Sequence, residues 1–116
     1  MEPERRVEFL QGTLDVLILR TLLAGPRHGH EISKYIRRAS EELFQVETGS
    51  LYPALHRLEA KGWVKAAWQQ SDLGKRARYY RLTQPGRRQL EAEQSKWDRF
   101  SRAMGLVLNS VDSETA

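Results

Sequence analysis

Residues 50–63 read SLYPALHRLEAKGW, and the way this stretch folds decides the architecture. Leu51, Leu55 and Leu58 recur at intervals of four and three, with Ala54 beside them, which is the stripe of a helix that buries one face. Thr48 or Ser50 can cap its front. Pro53 is tolerable if it stays in the first turn, where the amide hydrogen it lacks would have had no intrahelical acceptor. Gly62 supplies the stop. With the leucines turned inward, Thr48, Ser50, Tyr52 and His56 are left on the outside. Hydroxyls and free amides at a helix N-terminus suit phosphate oxygens and the edges of a nucleic-acid groove.

Two more helices are expected ahead of it. In TLDVLILRTLLAGP, residues 13–26, the apolar residues Leu14, Leu17, Ile18, Leu22 and Leu23 form a helical stripe that Val16 and Leu19 widen, so the helix is buried on more than one side. Thr13 suits its cap, Asp15 its first turn, and Gly25 with Pro26 its end. Val7, Phe9 and Leu10 suggest a further turn packing on a neighbour, broken off at Gly12. In GHEISKYIRRAS, residues 29–40, Ile32, Tyr35 and Ile36 face inward while Lys34, Arg37 and Arg38 face away. His28 and His30 lack the cysteine or spaced acid a metal site needs, and a helix cap is the better use for them. Phe44 and Val46 return the irregular link of residues 41–49 to the core.

After Gly62 the period changes. WVKAAWQQ, residues 63–70, and RYYRLT, residues 78–83, read as strands joined by SDLGKRA with Gly74 at the tip. From Lys61 to Thr83 there are six basic residues against the single acid Asp72, a local +5 that exceeds the +4 of the whole chain. Where charge is concentrated matters more to phosphate binding than its total. Three helices followed by a basic hairpin is the order of a winged helix-turn-helix, whose third helix enters the major groove of double-stranded DNA while the hairpin touches backbone or minor groove. The fold class expected is therefore mainly α with a small β-hairpin, followed by a long C-terminal helix.

The full chain of 116 residues carries 19 Lys and Arg against 15 Asp and Glu, with a pI near 9.7. That is room for one compact domain with a modest core, in which an unpaired element favours a partner. The absence of cysteine excludes disulfides and thiol chemistry and fits a reducing, cytoplasmic setting. No apolar run is long enough for a membrane span or a signal peptide. No serine or acid stands beside the histidines at triad spacing, and there is no phosphate-binding glycine loop or paired-carboxylate motif, so neither an enzyme nor a cofactor is expected.

Three segments in order, LQGTLDVLILRTLLAGPRHGHEIS, GSLYPALHRLEAKGWV and GKRARYYRLTQPGRRQL, resemble the PadR family of bacterial transcriptional regulators from residue 10 to about residue 90. The resemblance implies a dimeric winged-helix repressor with a C-terminal dimer helix, controlling detoxification, efflux or stress genes and released in some members by small aromatic or lipophilic effectors. By position it implies DNA contacts from Thr48, Gly49, Ser50, Tyr52, Pro53 and His56 on the third helix. Lys75, Arg76 and Arg78 would add contacts from the wing. His30 stands where the family commonly has tyrosine, a departure that bears on local packing. A winged-helix module that binds protein without DNA is the competing expectation, and the basic hairpin argues against it.

The last segment, residues 84–108, reads as a long helix capped by Thr83, with residues 1–83 as the winged domain and 109–116 as a polar tail. Leu90, Trp97 and Met104 repeat at seven, with Phe100 and Val107 as a companion row, a heptad-like seam for a homodimer. From Gln84 onward five basic and five acidic residues cancel, which suits protein contact better than DNA contact. Trp97 and Phe100 could instead line a crevice for a planar aromatic ligand, although filling the seam is the simpler role for both.

Overall fold

The computed structural model describes residues 12–111. Its elements are α1 (Thr13–Leu22), β1 (Arg27–His28), α2 (Gly29–Ala39), α3 (Thr48–Ala60), β2 (Val64–Gln70), β3 (Arg76–Leu82) and α4 (Gln84–Leu108). The turn expected around Val7, Phe9 and Leu10, and the end of the polar tail, lie outside the described residues.

The apolar stripes meet as their spacing requires, with two corrections: Leu23 is 36% exposed past the end of α1, and Tyr35, expected to face inward, is half-buried on the flank of α2 beneath Arg27. Leu14, Ile18, Leu19 and Leu22 of α1, Ile32 and Ile36 of α2, and Leu51, Ala54, Leu55 and Leu58 of α3 form one core with Val64, Tyr80 and Leu90. Phe44 and Val46 pack against its edge. Thr21, the polar residue within this core, satisfies its hydroxyl on the carbonyl of Leu17 at 2.8 Å.

Helix ends are where the structure departs most from the sequence pattern. Neither α1 nor α3 has a side-chain cap: Gly12 in a left-handed conformation (φ 90°) precedes α1, and Glu47 precedes α3. Thr13, Thr48 and Ser50 are already helical. Pro53 accordingly lies in the second turn, not the first, and leaves the carbonyl of Gly49 without the amide that would normally reach it. The C-terminus of α3 follows the sequence: Gly62 (φ 78°) donates to Glu59 and Trp63 donates to Leu58, each at 3.0 Å, a Schellman stop. Helix α2 closes with the same pair of bonds, from Glu41 to Arg38 and from Glu42 to Arg37. There the left-handed positions are held by two glutamates (φ 54° and 71°) instead of glycine.

The sheet has one strand more than the hairpin. β1 pairs antiparallel with β3 through Arg27↔Tyr80 and His28↔Tyr79, giving the order β1-β3-β2. Two residues bounded by Pro26 and a helix show no alternation to detect, so β1 escapes a pattern search. β2 and β3 pair from Val64↔Leu82 to Gln70↔Arg76, which starts β3 two residues earlier than the sequence suggests. Thr83 caps α4 by accepting from Gly86 at 3.0 Å, and its own hydroxyl donates to Gly62 at 2.7 Å. Gly86 is buried with its Cα against the Trp63 carbonyl, where a Cβ would overlap backbone. A glycine early in a helix, which lowers propensity, is what lets the first turn of α4 lie against the Trp63 backbone.

One expectation is corrected here. Leu90 is 3% exposed and belongs to the protomer's own core, because the first turns of α4 lie against α1 before the helix leaves the domain. It is not a seam residue.

Candidate nucleic-acid interface

The solvent face of α3 carries every residue expected there. Thr48, Gly49, Ser50, Tyr52, Pro53 and His56 are all exposed, since each is out of phase with the buried Leu51, Ala54, Leu55 and Leu58. The amides of Ser50 and Leu51 both turn back to the Glu47 carbonyl at 2.9 Å. Those of Thr48 and Gly49 precede any intrahelical acceptor and form the positive end of the helix. Tyr52 is 38% exposed and has a second role: its phenol lies on Gly29, so that a Cβ at Gly29 would collide with the hydroxyl. The ring thus sits where α2 meets α3, with its hydroxyl held at the seam of the two helices.

Two ion pairs fix this helix to the body. Arg57 reaches Asp15 of α1 at 3.0 Å, and Glu59 meets Arg78 of β3 at 2.8 Å. Arg78 also lies over the Tyr80 ring at 5.9 Å. Burial raises the pKa of the Tyr80 phenol above its ordinary value of 10.0; Arg78 opposes the shift, while Glu59 and Tyr52 add to it. The junction between α3 and the wing therefore holds a neutral phenol at physiological pH.

The three wing cations divide into two kinds. Lys75 and Arg76 are exposed at the turn and take part in no ion pair among the described residues. Arg78 is committed to Glu59. Sequence reasoning missed that brace, because the two residues stand 19 apart and only the packing of α3 on the sheet joins them. It also passed over Trp68, which shares the strand parity of Val64 and Ala66 but lies beyond the core, 59% exposed, with the Arg76 guanidinium 5.3 Å from its ring. An exposed tryptophan on a basic hairpin was the available signal.

His28 is the cap of α2: its Nδ1 accepts from the Glu31 amide at 3.3 Å while its own amide donates to the Glu31 carboxylate at 3.1 Å. Its ring meets Tyr79 edge-on at 5.2 Å. Among the described residues no group of three His, Cys, Asp or Glu could hold a metal ion. No described helix is long and apolar enough to cross a membrane.

Beyond Leu90, the apolar side chains of α4 stay uncovered among the described residues. Trp97, Phe100, Met104 and Val107 are exposed at 47, 54, 44 and 72%. Leu108, which the heptad count omitted, is exposed on the last turn of α4, and Val111, beyond the helix end, is exposed as well. The Trp97 and Phe100 rings lie 5.6 Å apart at 33°.

The model of a family described as the transcriptional regulator PadR-like family matches residues 18–92, from the middle of α1 to the point where α4 leaves the core. The transcriptional regulator Rv3488 of Mycobacterium tuberculosis is 30% identical over 95 residues, spanning 82% of this chain and 85% of that protein. A PadR family transcription regulator from Clostridium difficile superposes with a TM-score of 0.74 and 34% identity, over 84% of this chain and 100% of its own. A PadR-like transcriptional regulator from Bacillus cereus superposes with a TM-score of 0.77 and 27% identity, over 88% and 97% of the two chains.

Proposed function

The chain belongs to the PadR-like family of transcriptional regulators, and from that membership we propose that it binds a palindromic operator in double-stranded DNA as a homodimer and represses the gene beside it. It is a regulator and not an enzyme. The observation that carries the operator reading is the pairing of an outward-facing α3 N-terminus that has no side-chain cap with Lys75 and Arg76 on the adjoining wing, which enter no ion pair among the described residues. Helix α3 would read base edges in the major groove through Tyr52, His56 and the first-turn hydroxyls, while the wing neutralises phosphates. The apolar stripe of α4 supports the dimer, since a two-fold operator calls for two recognition helices at a fixed spacing. Such a protein acts in the cytoplasm, where the DNA is.

An effector of small aromatic or lipophilic character would stack on Trp97 and Phe100 at the seam. It would release DNA only by favouring one spacing of the recognition helices, because equal affinity for both states shifts no population.

The test is selection of binding sites from genomic DNA by the purified protein, followed by salt titration on the selected and on random duplexes. We expect a palindromic site and a steep loss of affinity between low and moderate salt. A protein that retains no site, and whose weak binding ignores salt, would instead be a winged-helix module for protein contacts.

A further inference from the structure

On the flank of α2 turned away from α3 lies a second concentration of charge, separate from the wing. Arg27 of β1 and Glu31, Lys34, Tyr35, Arg38 and Ala39 of α2 line an open groove of about 640 Å³. The α2 residues are spaced at three and four, so they share one helix face. Ile32 and Ile36 point to the core and Gly29 meets Tyr52 of α3, which places the groove on the flank that α3 does not use.

Three observations point to what the groove would hold. First, Arg27, Lys34 and Arg38 enter no ion pair among the described residues, although carboxylates are plentiful in the chain. Second, the Arg27 guanidinium is pre-positioned, lying 4.6 Å over the Tyr35 ring. Third, the one acid of the groove, Glu31, is turned to the helix cap, where it accepts from the His28 amide at 3.1 Å and lies 3.6 Å from the His28 ring. Three cations against one engaged carboxylate leave an excess of two positive charges around a concave surface. Guanidinium forks and an ammonium with that excess of charge suit a doubly charged oxyanion better than a carboxylate.

We propose that this groove binds phosphate groups, with Arg27 and Arg38 as the guanidinium contacts, Lys34 as the mobile charge and Tyr35 as the floor. The phosphates can come from the DNA backbone flanking the operator half-site, in which case the inference rests on the function proposed above. They can equally come from a free polyphosphate-bearing ligand, in which case it does not.

The experiment uses the full chain and the double variant Lys34→Ala/Arg38→Ala. A charge-matched control, Arg99→Ala/Arg102→Ala, removes two cations from the solvent face of α4, and thermal melting verifies that all three proteins are folded. One arm measures binding of inorganic tripolyphosphate by calorimetry. The other measures the salt dependence of operator binding on duplexes with and without ten flanking base pairs. In the first arm we expect at least a tenfold loss of tripolyphosphate affinity, seen in the groove variant and absent in the control, if the ligand is free. In the second, the salt slope falls by about two units on the flanked duplex alone if the phosphates are those of DNA. An effect in either arm supports the site and identifies its source. Unchanged behaviour in both arms, or equal losses in the control, would overturn it. Failure of the wild-type chain to bind any operator would instead refute the function proposed above and leave the tripolyphosphate arm to decide the groove.

Discussion

Gly86 is fixed by packing alone, whereas Tyr52 is at once a packing residue and part of the exposed face of α3. Gly86 is required by contact: its Cα abuts the Trp63 carbonyl, and the Leu82 side chain closes the other side. Gly86→Ala should lower unfolding free energy by about 1–3 kcal/mol even though alanine is the better helix former, because the added methyl meets backbone that cannot turn aside. Urea denaturation measures this, and a neutral or stabilising result would mean that the start of α4 can move away from Trp63. At Tyr52 the hydroxyl end of the ring is packed on Gly29, while the residue as a whole remains 38% exposed on the outer face of α3. Tyr52→Phe should leave the melting temperature unchanged and weaken operator binding. Unaltered affinity in a fluorescence-anisotropy titration would confine this hydroxyl to packing.

At the level of elements, α3 and the wing are tied to each other before any DNA arrives. The Arg78–Glu59 pair at 2.8 Å joins them, with side chains 39 and 33% exposed. Its contribution to stability is at most about 1 kcal/mol for a pair this accessible, so its value is orientation. Lys75→Ala and Arg76→Ala should each reduce the salt slope of DNA binding by up to about one unit and weaken specific and random complexes alike. Arg78→Ala should differ: with α3 less firmly set, operator affinity falls more than random-DNA affinity. Titrations of the three variants at several salt concentrations separate the two patterns. If Arg78→Ala behaves like the other two, its guanidinium contacts phosphate despite Glu59.

The shape of the whole molecule follows from α4. Its 25 residues span about 37 Å, and the chain has extents of 66 × 38 × 21 Å and a radius of gyration of 17.2 Å, where a compact domain of this size would have about 13 Å. An arm bearing Trp97, Phe100, Met104, Val107 and Leu108 in the open presents a row of large apolar side chains of the kind that marks an interaction surface. The double variant Trp97→Glu/Met104→Glu should therefore sediment as a folded monomer and lose operator binding. A dimer that persists would move the interface elsewhere, with the widely apolar α1 as the next place to look.

The core was legible in the sequence because its signal is periodic and local. The spacing of Leu51, Leu55 and Leu58 fixes which face of α3 is buried, and by difference which residues are presented to a ligand. The Schellman stop at Gly62 and the cap at Thr83 are likewise settled within a few residues. Features that depend on elements distant in sequence were not legible. Leu90 fits the heptad as well as Trp97 does, yet it is buried in the protomer core and Trp97 is not, because helical periodicity marks a face of α4 without marking where α1 stops covering it. Strand β1 exists only because β3 offers it an edge. Arg78, indistinguishable in sequence from Arg76, differs only because tertiary packing brings Glu59 within reach of its guanidinium.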